Sequence, residues 1–193
     1  SQVLAFPTPA WQTGALLTPP AGDFAVAMLA EVKSKWAAEL SLVDGWPARP
    51  TLLIPLEGSA TSAESAKLAL FGSVAGGVMD DLGIEIGTTL SDDGTTLVAV
   101  PRDPVPAGVD EVVFVVRRGA LSGAHALPAC GTNGRPLTAY ADAAASLPSG
   151  TEAELALPMR IATTPRELPA LHARISKSPV LEVAKIEERT GAS

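Results

Sequence analysis

The chain has 193 residues, and 14 Lys and Arg against 21 Asp and Glu give it a formal net charge of −7. Nucleic-acid binding needs cations that displace phosphate counterions, so this balance argues against a general nucleic-acid binder and against an anionic membrane surface as the partner. A single cysteine excludes an intrachain disulfide, and no apolar run approaches the length of a membrane span.

Residues 1–22 are predicted to form an extended arm, because four prolines among them deny regular backbone hydrogen bonding. The arm is more apolar than a freely disordered tail would be. We therefore expect it to lie on a surface, either of its own domain or of a neighbouring subunit, and we expect residues 23–193 to form a single domain. The arm residues predicted to contact a partner are Val3, Leu4, Phe6, Trp11, Leu16 and Leu17.

The elements after the arm begin with a predicted helix. Asp23 is a typical N-cap, and apolar residues at spacings of three and four predict a helix over residues 24–42. Residues 51–56 predict a short buried strand, and prolines around it favour an edge position or a bulge. Hydroxyl residues at 59–62 offer caps for a second helix over residues 63–71.

The middle of the chain predicts β-structure. Residues 84–90 and 95–100 are β-prone runs that flank Asp93-Gly94, and an Asp-Gly pair in this position indicates a hairpin. The run at residues 111–117 is almost continuously apolar, which predicts a strand with a central place in a sheet.

The last part of the chain predicts a loop over residues 119–136, a short helix over 140–147 and a strand over 152–161 that Pro158 interrupts. Residues 164–188 predict two helical pieces. All elements together predict an α+β fold, with a mixed, largely antiparallel sheet packed against a few helices and an extended proline-rich N-terminal arm.

The candidate catalytic pair is His125 and Cys130, in the predicted glycine-rich loop. A thiolate nucleophile needs a base, and imidazole is the usual one. However, no regular element makes residues five apart face each other, and a lone cysteine beside Pro128 is more often a small buried hydrophobe. We therefore assign no catalytic residue and keep the pair only as a candidate.

Other motifs indicate neither a metal nor a cofactor. A closed zinc site would need carboxylates in addition to the two histidines and one cysteine, and His172 has no ligand partner at short spacing. The glycine-rich segment 72–77 lacks the Lys-Ser/Thr that a phosphate loop requires. The adjacent acids Asp92 and Asp93 are explained by the turn in which they lie.

These observations favour a non-enzymatic structural or assembly subunit of a larger particle, such as a virion, capsid or tail protein, that forms a homo-oligomer or binds a protein partner. Two alternatives stay open. One is a small enzyme or ligand-binding domain that uses the loop over residues 119–136, and the other is an acidic regulatory or immunity-type module that meets a basic partner. The first residues show no signal-peptide pattern, so we expect a cytoplasmic or particle-associated protein.

Overall fold

The computed structural model describes residues 12–13, 16–17, 45–74, 76–128 and 136–162. All of them belong to a compact unit, Ser1–Thr163, and a second unit, Thr164–Ser193, contains none of them. The helix predicted over residues 24–42 and the helical pieces predicted over 164–188 therefore lie outside the described residues. The prediction of one domain over residues 23–193 stays a prediction.

The described residues are rich in β-structure and contain one α-helix. In chain order the elements are β1 Gln12–Thr13, β2 Leu16–Leu17, β3 Leu52–Ala63, a 3-10 turn Ser65–Lys67, β4 Leu68–Ser73, β5 Asp80–Asp81, β6 Ile86–Leu90, β7 Thr96–Pro101, β8 Glu111–Arg117, β9 Leu121–Ala126, α1 Thr138–Ser146 and β10 Ala153–Arg160. No helix in this part of the chain is long and apolar enough to cross a membrane.

Eight of these strands form two four-stranded sheets in which every strand pair is antiparallel. The first sheet has the order β10-β8-β4-β5 and the second the order β6-β7-β3-β9. The inward side chains of both sheets form one apolar cluster, so the sheets pack face to face as a β-sandwich. The predicted α+β class is therefore only loosely right, because most of the described structure is β-sheet.

Strand β8 has the central position that its apolar run predicted. Phe114 is fully buried, and Leu70 and Leu157 lie opposite it on the two neighbouring strands. Val113 and Val115 face the other way, into a second apolar cluster that includes Ala143 of α1. The strand is apolar on both faces because one face meets the other sheet and the other face meets α1.

Strand β3 is twice as long as predicted and connects two partners within its sheet. Its first half pairs with β7 and its second half with β9, and the register shifts between Gly58 and Ser62. The shift lies beyond residues 51–56, where the prolines predicted a bulge or an edge and where pairing with β7 is regular, and β3 is an inner strand, not an edge. Gly58 has a φ of +92°, and a Cβ there would come 2.8 Å from the carbonyl oxygen of Gly123.

The helix predicted over residues 63–71 is wrong. These residues form the end of β3, the 3-10 turn and most of β4. Leu68 and Leu70 face the sandwich core, whereas Ala69 and Phe71 face the cluster beneath α1. A run that is apolar on both faces has no helical or strand periodicity of its own, and packing between two layers decides its conformation.

The predicted hairpin is confirmed as β6 and β7, which pair from Ile86 opposite Pro101 to Leu90 opposite Leu97. In its turn the Asp93 carboxylate accepts hydrogen bonds from Ser91 Oγ at 2.6 Å and from Thr95 N at 3.1 Å. The bonds from Ser91 and Thr95 lower the pKa of Asp93 from 3.8 to about 2. The adjacent acids are thus turn residues, as the sequence indicated.

Two later predictions are confirmed and one is partly wrong. The helix expected over residues 140–147 is α1, and the strand expected over residues 152–161 is β10, which continues through Pro158 where an interruption was predicted. The loop expected over residues 119–136 contains β9 in its first half, because alternate residues such as Ala124 and Ala126 face the core.

In the N-terminal arm, Gln12 pairs with Leu17 and Thr13 with Leu16, so the arm contains a short hairpin where the sequence indicated irregular extended chain.

Candidate functional site

The candidate pair His125 and Cys130 is not brought together in the described residues, because Cys130 lies outside them. His125 is on β9, and its Nδ1 is 3.4 Å from Oε1 of Glu154. The same Oε1 accepts a hydrogen bond of 2.8 Å from the backbone N–H of Ala126. Since Glu154 belongs to β10 and Ala126 to β9, this carboxylate connects the two sheets. The contact gives Glu154 a structural role and leaves the imidazole 77% exposed.

A groove of about 420 Å³ lies between α1 and the outer face of the first sheet. Its lining is mostly apolar, with Glu111 and Asp142 as acids and Arg160 as the cation. The Nε atom of Arg160 is buried and has no hydrogen-bond partner among the described residues. None of the described His, Cys, Asp and Glu residues form a group of three that could hold a metal ion. The groove offers an apolar floor with the Arg160 guanidinium and the Ser146 hydroxyl as donors, and Ser146 Oγ donates to the Ala143 carbonyl oxygen, not to a base.

The outermost strands of the two sheets are the other places where this fold presents unused binding groups. An outermost strand hydrogen-bonds to a neighbour along one side only, so the N–H and C=O groups along its other side are free to pair with another chain. The sandwich has four such strands, namely β10 and β5 in the first sheet and β6 and β9 in the second. We call the free side of each of these strands its open edge.

The edge of β10 is blocked by proline and by neighbouring backbone. Ile161 N donates to the carbonyl oxygen of Asp110, so by antiparallel alternation Pro158 directs its nitrogen away from β8. A proline at this position breaks no hydrogen bond within the sheet, and because it has no N–H it provides no donor to an added strand. Trp46 N donates to the carbonyl oxygen of Arg160 at 2.7 Å and covers the end of the same edge.

The edges of β9 and β5 are also restricted. On β9, Ala126 N–H points away from β3 and is bound by Glu154, as described above. β5 has only two residues, Asp80 and Asp81, and both are acidic. Short strands and charged side chains are two of the ways in which natural sheets prevent pairing with another chain.

Strand β6 differs from the other three. Arg102 N donates to the Glu85 carbonyl oxygen and Ser91 N to the Thr96 carbonyl oxygen, so Gly87 and Thr89 between them also bond to β7. By the same alternation, Ile86, Thr88 and Leu90 direct their N–H and C=O groups away from β7. No described residue hydrogen-bonds to these outward groups. Ile86 is only 2% exposed, so the groups open to another chain are those of Thr88 and Leu90, which are half-buried.

The sequence of β6, Ile-Gly-Thr-Thr-Leu, contains no proline and no charged residue. The ion pair between Arg102 and Glu85, 2.8 Å long, lies just before the strand, whose first residue, Ile86, is buried. The 3-10 turn Ser65–Lys67 lies near β6 but forms no hydrogen bond with it in the described structure. Among the described residues, β6 thus presents an open edge at Thr88 and Leu90 that no proline, charge or hydrogen bond protects.

Sequence reasoning did not identify this edge. The hairpin was predictable, but which of its two strands is outermost depends on the pairing of β7 with β3, which lies much earlier in the chain. One signal was present, since a β-prone run without proline or charge contrasts with Pro158 in β10. Of the predicted partner-binding residues, Leu16 and Leu17 form β2, whereas Val3, Leu4, Phe6 and Trp11 lie outside the described residues.

Comparison of the chain with models of protein families, with curated proteins and with solved structures finds no match.

Proposed function

We propose that the chain is a non-enzymatic structural or assembly subunit of a larger particle, and that it associates by adding a strand to its second sheet at β6. The observation that carries this proposal is the edge of β6, open at Thr88 and Leu90, set against a proline-blocked edge on β10, a capped N–H on β9 and a two-residue β5. Strand addition of this kind uses main-chain hydrogen bonds for affinity. An edge without protection exposes a protein to pairing with other chains, so its retention fits a sheet that has a partner.

The strength of the contact follows from the number of groups on the edge. Thr88 and Leu90 present one N–H and one C=O each, which allows about four hydrogen bonds to an added strand. At roughly 0.5–1.5 kcal/mol net for each bond, the ladder offers about 2–6 kcal/mol against an association cost of about 4–15 kcal/mol. The edge alone therefore gives weak association, and a stable particle needs a second contact between the same subunits.

The N-terminal arm is the second contact that we propose. The sequence predicts six apolar residues in the arm that contact a partner, and burying a large apolar side chain contributes roughly 1.5–3 kcal/mol. Two weak contacts between the same subunits strengthen each other, because the second forms within a complex already held by the first. Deletion of residues 1–18 is then expected to weaken assembly while the sandwich stays folded.

The test of strand addition is Thr88→Pro, which removes one outward N–H and places a ring on the edge. Since the nitrogen of Thr88 points away from β7, the substitution breaks no bond within the sheet. The matched control is Thr88→Val, which keeps the N–H and the β-branched shape. Sedimentation velocity measures the oligomeric state, and circular dichroism checks the fold.

We expect Thr88→Val to assemble as the wild type does and Thr88→Pro to shift toward the monomer. If Thr88→Pro fails to fold, Thr88→Lys is the second variant, because an inward-pointing charge on an edge strand also opposes pairing. A folded Thr88→Pro or Thr88→Lys chain that assembles like the wild type would contradict the proposal.

A further inference from the structure

We infer that the groove between α1 and the outer face of the first sheet binds a small apolar amino acid. The carboxylate of this ligand pairs with Arg160, and its ammonium lies between Glu111 and Asp142. The inference goes beyond the proposed strand addition, which concerns β6 in the other sheet. The groove has a volume of about 420 Å³, near the lower end of the range for small-molecule sites, so it suits a ligand of this size.

The register of the first sheet places two opposite charges side by side in the groove. Glu111 of β8 and Arg160 of β10 lie directly opposite each other, which puts their Cβ atoms about 4.5–5.5 Å apart. Glu111 is two residues from Val113, which faces α1, so both charged side chains leave the sheet on its outer face. Asp142 lines the groove from the other side, on α1. Groups of both signs therefore line one small groove.

These charges have no partners within the described part of the protein. Arg160 forms no ion pair with any described residue, although Glu111 lies opposite it, and neither Glu111 nor Asp142 forms one. By contrast, Arg102 and Arg117 each pair with a carboxylate. An arginine that lines a groove and leaves the adjacent glutamate unpaired is available to the carboxylate of a ligand.

The guanidinium of Arg160 presents its terminal nitrogens to the groove. Its Nε atom is buried, whereas the two Nη atoms are not, and none of the three has a hydrogen-bond partner among the described residues. A ligand carboxylate therefore binds at the Nη atoms and not at Nε. Because burial of Nε removes water from one side of the guanidinium, a charge-assisted hydrogen bond is stronger here than on an open surface.

The rest of the groove fits an aliphatic side chain. Met79, Val113 and Ala143 belong to one apolar cluster and form its floor, and Ala139 and Pro158 add further apolar lining. A mostly apolar site with a few polar groups that fix orientation is typical of small-molecule binding.

The balance of charges selects the class of ligand. A simple carboxylate, such as a fatty acid or the end of a peptide chain, would pair with Arg160 but would bring its negative charge close to Glu111 and Asp142. An amino acid carries an ammonium beside its carboxylate, so it complements the two acids as well as the cation.

Isothermal titration calorimetry of the full chain with L-leucine as the probe tests the inference. Two analogues each lack one charge, because N-acetyl-L-leucine keeps only the carboxylate and L-leucinamide keeps only the ammonium. Arg160→Gln removes the cation, and Asp142→Asn removes an acid at an exposed position of α1. The matched control is Arg118→Gln, because Arg118 is exposed and does not line the groove. Circular dichroism checks the fold of each variant.

We expect Arg118→Gln to bind L-leucine as the wild type does, and Arg160→Gln to bind it roughly tenfold or more weakly, as the loss of a charged hydrogen bond implies. Both analogues should bind the wild type roughly tenfold or more weakly than L-leucine does. If Arg160→Gln does not fold, Asp142→Asn takes its place, and it should weaken binding in the same direction.

Three results would overturn the inference. The first is no binding of L-leucine to the wild type, and the second is equal binding by the groove variant and Arg118→Gln. The third is N-acetyl-L-leucine that binds as tightly as L-leucine, because the groove would then recognise a carboxylate alone, such as the end of a peptide chain. None of these results bears on strand addition, which the Thr88→Pro experiment judges separately.

Discussion

The carboxylate that connects the two sheets provides the sharpest stability prediction. Glu154→Ala removes the acceptor of the 2.8 Å hydrogen bond from Ala126 N–H and leaves that donor facing outward from β9. The side chain of Glu154 is only 16% exposed, so water replaces the lost bond poorly. Because the bond is to a charged group, we expect the free energy of unfolding to fall by about 1.5–3 kcal/mol.

Urea denaturation of the variants measures this change, and two controls separate its causes. Glu154→Gln keeps an oxygen acceptor without the charge, so it should retain more stability than Glu154→Ala. His125→Ala should cost less than about 0.5 kcal/mol, because the imidazole is mostly exposed and lies at 3.4 Å from the carboxylate. Equal losses for His125→Ala and Glu154→Ala would refute the argument, since the imidazole contact and not the backbone cap would then carry the stability.

Three further predictions concern the turn and the core. Gly94→Ala should destabilise the hairpin, because Gly94 has a φ of +69° and an added Cβ would lie 2.5 Å from the Ala60 carbonyl oxygen. Thermal unfolding measures the loss of stability, and an unchanged Tm would contradict the prediction. Folding lowers the pKa of Asp93 to about 2 from 3.8, so the contribution of Asp93 to stability is present above pH 4 and is lost as the pH falls toward 2. The wild type should therefore lose more stability over this pH range than Asp93→Asn. Identical acid-unfolding profiles for the two proteins would contradict this prediction. Phe114→Ala should lower the free energy of unfolding by about 3–5 kcal/mol, because the ring is fully buried between the sheets. Denaturant titration measures this loss, and a loss below about 1 kcal/mol would be inconsistent with the buried position of the ring.

Local signals in the sequence were sufficient for the elements whose geometry is local. Asp93-Gly94 predicts its hairpin because the turn needs both a side-chain acceptor and a positive φ, and both are properties of single residues. The run from Val112 to Val116 predicts a central strand because it is apolar on both faces.

The elements that depend on distant partners could not be predicted in the same way. Leu68 and Phe71 belong to a strand because one faces the sandwich core and the other faces the cluster under α1, a fact that no window of sequence contains. The open edge of β6 has the same origin. It exists because β7 pairs with β3 on its other side, so the edge follows from the order of the strands and not from the composition of β6.

Amide hydrogen exchange at β6 tests strand addition most directly. In the monomer the N–H groups of Gly87 and Thr89 bond to β7, whereas those of Ile86, Thr88 and Leu90 point away from the sheet. Exchange is therefore compared residue by residue, in dilute monomer and at a concentration where the wild type assembles. We expect Thr88 N–H to be unprotected in the monomer and to become protected on assembly, while protection of Gly87 changes little. Assembly that leaves exchange at Thr88 unchanged would contradict it.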